Sequence, residues 1–545
     1  LTTKKLIFLV VSFIYRMSHA ALRALFFITL CSLGQGAFAA GLPSLAGLPS
    51  LEPSAWAISL SQSASPLSLV DYAEASLRVS GVDEAKVPAY RDSLTAFFGK
   101  AKNAVAGGGT AYERAELALE FMHKQLFTGY RFEQTRVDVL LDSGAYNCVS
   151  SAVIYLGIMK ALGIEAGAVK TKDHAFCRVK TERGWIDVET TNPIGFDPGH
   201  NKKEFTDSFG AVTGYAYVPP ENYRERQDIG EREILGLVIH NRVVALESLR
   251  DYLGAFSLSL NRAAFDPDPG IHDFVMGRAS NVAVSLLDAG RNDDCLIFLD
   301  QIEAKFGKND TLGRARDTAI QNALATYAQR NDYEGGFAYI DKVRAAYGDR
   351  EAFADFTRVA VNNTVIGYVN VGRYQDALSY LDGAERSGRA AQPELSGYRQ
   401  TVALADVNSN RQKKGFDASL AALKAYADKG LIGAAKGTEM AQSLAGEEAN
   451  RLARSDKDKG WLSAAAAFNK ALSLYPGAAS LQKGRTQCLS NYAASVSNRF
   501  VAAFNSGDAA TAEAILREGL ANYPESDLLK AQLDKYLAAT GKAGK

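Results

Sequence analysis

The spacing of hydrophobic positions divides the 545-residue chain into stretches of different character. Residues 6–15 are apolar but too few to span a bilayer. After Met17 comes Arg23, an apolar run over 25–33 and the small-x-small sequence Ala37-Phe38-Ala39. That order predicts a secretory signal over 1–40, with Met17 as the start of translation. Pro, Ser and Gly are enriched over 41–53, which predicts a linker over 41–66. From 68 to 127 apolar residues recur every three or four positions, broken by Gly107-Gly108-Gly109, and this spacing predicts helices. A short approach segment and turn are expected over 135–144. Val149, Ala152, Val153, Leu156, Met159 and Leu162 then fall at helical spacing, with Gly163 placed to end the helix.

The period next changes to two. Residues 164–169, 174–179 and 185–189 read as strands, and Thr181-Glu182-Arg183-Gly184 as a hairpin loop between the last two. In that register Lys180 pairs with Trp185 and Arg178 with Asp187. His174, Phe176, Arg178, Trp185, Asp187 and Glu189 then share one face. Ala175, Cys177, Val179, Ile186 and Val188 take the apolar face, so Cys177 is expected in the core. His123, in the helix over 112–127, is expected to pack or to face solvent, and His200 to lie on the surface.

Chemistry concentrates between 144 and 193. Cys148 opens a helix, where unpaired N–H groups and the helix dipole favour a thiolate, the nucleophilic form of the side chain. His174 opens a strand and can draw the thiol proton or hold a thiolate–imidazolium pair. Glu189 lies diagonal to His174, about 7–8 Å between backbones. Asp187 is roughly 13 Å along the strand from the position opposite His174, and Arg178 faces it as an ion-pair partner. Glu189 is therefore the expected acid that orients the imidazole, with Asp187 the alternative under a slipped register. An oxyanion would take the Cys148 N–H as one donor. Tyr146, Asn147 and Gln134 are candidate side-chain donors, and the sequence does not choose among them.

Composition removes other classes. Lys+Arg and Asp+Glu are equal at 61 each, so there is no general attraction for nucleic acid or an acidic membrane. Only six histidines and five scattered cysteines, without a Cys-x-x-Cys pair, leave neither a zinc ribbon nor a disulfide framework. Cys31 is expected to leave with the signal. A metal site on Cys148, His174 and Cys177 fails because Cys177 points away from His174. No cofactor is expected.

Tyr146-Asn147-Cys148, the helix end Ala161-Leu-Gly-Ile164, His174-Ala-Phe176 and Gly184-Trp-Ile-Asp-Val-Glu-Thr190 resemble the transglutaminase-like superfamily of papain-like folds. The resemblance implies a Cys-His-acid site in an α+β domain over 67–220. The family acid lies four residues after the Trp of the Gly-Trp pair, which here is Glu189. Two positions depart from the family: Glu stands where Asp is usual, and no Trp neighbours Cys148.

After Pro219-Pro220 alternation stops and alanine-rich helical pairs begin. Small residues recur in similar contexts at Ala255, Cys295, Gly336, Ala377, Ser419, Ala464 and Ala512, roughly 40 to 48 residues apart. These resemble tetratricopeptide repeats, with units longer than the usual length of about 34 residues. An all-α repeat solenoid is expected over 221–541, offering a surface to a protein or peptide partner. The whole chain then reads as an α+β papain/transglutaminase-like domain followed by the solenoid. It is expected to be a periplasmic or secreted cysteine-dependent acyl-transfer enzyme, peptidase/amidase-like or transglutaminase-like, with no membrane span after signal cleavage. The alternative is a catalytically inactive scaffold that binds partners through the repeats.

Overall fold

The computed structural model describes residues 47–199, 202–214, 225–390, 392–456 and 459–541. The expected signal, its cleavage site and His200 lie outside them. The chain forms two compact units, divided between Asn322 and Ala323. In the first, α1 (Ala55–Gln62), α2 (Leu69–Ser80), α3 (Val87–Ala104) and α4 (Ala111–Gln125) precede β1 (Gly129–Tyr130), α5 (Val137–Ser143), β2 (Ala145–Tyr146) and α6 (Cys148–Leu162). There follow β3 (Ala166–Lys170), β4 (Ala175–Thr181), β5 (Gly184–Val188), α7 (Lys202–Thr213) and β6 (Gln227–Ile229). Then come α8 (Glu231–Ser248), α9 (Tyr252–Phe265), α10 (Ile271–Asp288), α11 (Asn292–Phe306) and α12 (Asp310–Gln329), which contains the division.

Helix α6 is the centre of the first unit. Asn147 caps it, accepting from Val149 N at 3.1 Å and Ser150 N at 2.9 Å, while Ser150 Oγ takes the Asn147 N–H at 2.9 Å. Gly163 ends it at φ 68°, a left-handed conformation that glycine adopts without a Cβ penalty. Every residue from Cys148 to Met159 is buried. A helix apolar on all sides is stable only when surrounded, and α2, α3, α4 and α8 pack around α6.

The sheet runs β5-β4-β3-β6, antiparallel at every step. The hairpin pairs Lys180 with Trp185 and Arg178 with Asp187, as the alternation predicts, but Thr181 also pairs with Gly184, so the expected four-residue loop is a two-residue turn of Glu182 and Arg183. Ala168, Cys177 and Val188, fully buried, belong to the core shared with α6. His174 and Phe176 lie toward α7, whose Phe209 meets the His174 ring edge-on at 6.1 Å.

Besides the two-residue strands β1 and β2 and helix α7, three elements escape the sequence reading. Residues 137–143 form helix α5 where an approach segment is expected, and β6 adds a short edge strand after alternation ends. The third is α1, within the expected linker. Ser54 N donates to Asn261 Oδ1 at 2.7 Å, Trp56 meets Phe265 at 6.2 Å, and Arg232 Nη2 reaches Ser63 O at 2.7 Å. Ala57 and Leu60 are buried, so this segment is a docked strap. The helices after 220 also join the first core, through Ile234, Leu235, Val238, Ile239 and Val243 of α8. The change of period at 220 thus marks a change of secondary structure, while packing divides about a hundred residues later.

The second unit holds α13 (Tyr333–Tyr347), α14 (Glu351–Asn370), α15 (Tyr374–Arg386), α16 (Gln392–Lys414) and α17 (Phe416–Asp428). They are followed by α18 (Ala434–Ala453), α19 (Lys459–Leu474), α20 (Ala479–Asn505), α21 (Ala509–Asn522) and α22 (Asp527–Ala539). Helix follows helix through short turns, the organisation of a helical-repeat array. The seven small residues of the repeat are all buried, each within the first two turns of its helix. Their use is visible at Gly336, where an added Cβ would overlap the Phe356 ring of the next helix. Among the described residues, no helix is long and apolar enough to cross a membrane. We expect Gly336→Leu to destabilise the second unit by about 1–3 kcal/mol through overpacking, read as a lower denaturant midpoint; an unchanged midpoint would mean that Phe356 turns aside freely.

Candidate active site

Three elements bring their chemistry to one place. Helix α6 carries Cys148 at its first position, the turn before β4 carries His174, and the chain leaving β5 carries Glu189. His174 Nε2 and Glu189 Oε2 are 2.7 Å apart. That contact occupies Nε2, which leaves Nδ1 for the Cys148 thiol, the ring's other hydrogen-bonding neighbour. Burial pulls the imidazole down, but the Glu189 charge and the hydrogen bonds of Cys148 and Glu189 outweigh it and hold His174 well above its ordinary 6.5. A protonated ring between a carboxylate and a thiol is placed to pass a proton to and from that thiol. At the helix start, Asn147 takes the N–H groups of Val149 and Ser150 by its side chain and that of Ser151 by its carbonyl at 2.9 Å. The Cys148 N–H takes none of these acceptors and lies beside the nucleophile.

Glu189 is only 3% exposed and is held from several sides. Thr191 donates to Oε1 from its N–H at 3.2 Å and from its hydroxyl at 2.7 Å. The loop closes on itself, Glu189 N donating to Gly195 O at 2.8 Å, and an added Cβ at Gly195 would overlap the Glu189 carbonyl. Thr190 is pinned twice: His123 Nε2 lies 3.0 Å from its carbonyl and Ser151 Oγ 2.8 Å from its hydroxyl. Tyr146 donates to Thr191 O at 3.0 Å. His123 packs as expected, edge-on to Phe127 and Tyr146, yet the packing also fixes the acid loop. Burial pushes its imidazole down to about 4, so it is neutral and donates to Thr190 through Nε2–H. The repeated Thr after Glu189 was the one sequence signal for these supports, since a hydroxyl two residues on can reach back to a carboxylate.

The expected oxyanion donors are mostly committed elsewhere. Gln134 Nε2 donates to Arg136 O at 2.8 Å and Ala145 O at 2.9 Å, which uses both of its hydrogens. The Tyr146 hydroxyl hydrogen is on Thr191 O, and Asn147 Nδ2 donates to Phe132 O at 3.0 Å. Asp187 lies opposite Arg178 in the ladder, but its ion pair is bidentate with Arg226, at 2.6 and 2.7 Å. Arg178 instead bonds Asp228 on β6, passing the strand position of Gly167, which has no side chain to block it. The expected Arg178–Asp187 pair is thus corrected: register fixes neighbours, while long guanidinium side chains choose partners two strands away. Cys177 faces α6, its thiol donating to Ala152 O at 3.7 Å, and burial first, then the Glu189 charge, pushes it well above its ordinary range.

No protein-family model matches this chain, and no curated protein matches it in sequence. What the site can do is therefore set by its own geometry.

Glu189→Gln should slow Cys148 alkylation by iodoacetamide at neutral pH, whereas Asp187→Asn, which removes only the Arg226 partner, should leave it within about twofold, the scale of RT in rate. Equal slowing in both variants would reject Glu189 as the distinguishing acid. Because the folded value of His174 is raised, the stability it lends is whole below its ordinary 6.5 and is lost as pH rises through the folded value. The melting temperature of the wild type over His174→Phe should therefore hold steady from pH 5 to about 6.5 and narrow in alkali; a gap that widens with pH would contradict the raised value.

Proposed function

We propose that the first unit is a papain- or transglutaminase-like domain catalysing cysteine-dependent acyl transfer on an amide or ester. The observation that carries this reading is His174 set between Glu189, at 2.7 Å, and Cys148. The thiolate of Cys148 attacks the carbonyl carbon, forming a C–S bond, and the charge that develops on oxygen meets the Cys148 N–H. The imidazolium of His174 gives its proton to the leaving amine or alkoxide as the C–N or C–O bond breaks. A water or amine then loses a proton to His174 while attacking the thioester, and the thiolate is released. Glu189 keeps the ring's orientation and stabilises its charge throughout.

The helical repeats are proposed as the surface that recruits the protein or peptide substrate or partner. The export pattern over 1–40 supports a periplasmic or secreted setting.

The scaffold reading has one observation in its favour. With the hydrogens of Gln134 and Tyr146 committed to backbone carbonyls, the oxyanion is left chiefly to the Cys148 N–H. An electrophilic peptide probe separates the two readings. Labelling should fall on Cys148 alone among the four described cysteines, all buried, and should drop by roughly 10²- to 10⁴-fold in His174→Ala. Labelling that is equally slow in the wild type and His174→Ala would overturn the enzyme reading and leave the scaffold.

A further inference from the structure

The turn that presents His174 is fastened from behind by the helices that follow the sheet. Strand β3 ends at Lys170, whose partner in β4 is Ala175, the residue after His174. Between them Thr171 closes the turn, donating to His174 O from its N–H at 2.9 Å and from its hydroxyl at 3.2 Å. The side chain of Lys170 leaves the sheet on the side opposite His174, and its ammonium meets Asp268 Oδ2 at 2.6 Å. Both side chains are 19% exposed, so the pair is partly desolvated.

Asp268 is itself a fixed point. It lies in the loop between α9 and α10, where Arg262 Nη2 reaches its Oδ2 at 3.3 Å and Gly270 N its Oδ1 at 2.8 Å. Its own N–H donates to Asp266 Oδ1 at 3.0 Å. Asp266 in turn holds Arg262 Nε at 2.7 Å, both of them buried, and Arg262 lies over the Phe274 ring at 4.7 Å. Burial alone would raise the Asp268 carboxyl, but Lys170, the Gly270 N–H and Arg262 together hold it below its ordinary range.

We propose that Lys170 and Asp268 are positioning residues, a clamp through which the α9–α10 loop sets the His174 turn in register with Cys148 and Glu189. Neither touches the reacting atoms. The ladder pairing carries a displacement of Lys170 into Ala175, and the Thr171 bonds carry it into His174. A ring displaced by about 1 Å loses much of its catalytic advantage. The effect on catalysis rests on the acyl-transfer reading, whereas the effect on the turn does not.

The test uses the full chain with Lys170→Met, Lys170→Arg and Asp268→Asn, and two readouts. Hydrogen exchange at the Thr171 amide reports the turn, and the pH profile of Cys148 alkylation by iodoacetamide reports the thiolate–imidazolium pair. Lys170→Met and Asp268→Asn should speed Thr171 exchange and slow neutral-pH alkylation by roughly tenfold, with Lys170→Arg restoring both. Asp268→Asn keeps the shape of its loop and carries the test if Lys170→Met fails to fold. Folded variants with wild-type exchange and a wild-type pH profile would overturn the clamp. A wild type whose Cys148 titrates as an ordinary thiol would overturn acyl transfer, and faster Thr171 exchange in the variants would then still support the clamp.

Discussion

Burying the carboxylate of Glu189 is the constraint on which the first unit turns. An ionised group taken out of water costs several kcal/mol unless hydrogen bonds and an opposite charge replace its hydration. Here the replacement is specific: two donors from Thr191 on one oxygen and His174 on the other. Because the charge is compensated by the imidazole, the proton on that imidazole is held in turn, and the raised affinity of His174 follows. The surrounding contacts, from His123, Ser151 and Tyr146, act on the loop backbone and keep Thr191 where the compensation needs it.

What was legible in the sequence was local and periodic. Four polar or flexible residues between alternating runs located the hairpin, although only Glu182 and Arg183 form its turn, and its register separated Glu189 from Asp187. Gly163 after Leu162 marked where α6 ends, whereas Asn147, read from the sequence only as an oxyanion donor, is the residue that caps its start. The parts that were not legible depend on distant chain. Nothing near Asp187 says that Arg226, the residue before β6, will reach it. The seven-residue α5 is too short for periodicity to declare, and β6 contributes three residues to an edge. Trp56 and Leu60 gain meaning only once α8 and α9 are in place beneath them.

The repeat region shows the same division between spacing and packing. The recurring small residues identify where helices approach, and the structure adds what fills the space, as where Gly336 admits Phe356. Spacing did not reveal that the first of these helices would be drawn into the core around α6. A repeat unit cannot bury its apolar face alone, and for α8 the partners are α2 and α6, so the beginning of the array and the candidate site share one hydrophobic core.

The strap over 54–63 has a consequence for how the protein is delimited. A chain cut back to Leu67, where helical periodicity begins, would forfeit Trp56, Ala57 and Leu60 and uncover Phe265 on α9. It would also strand the polar groups of Arg232 and Asn261 that now grip the strap backbone. The smallest autonomous form of this domain is therefore set by what those helices hold, and it begins upstream of Ser54, inside what the amino-acid composition marks as spacer.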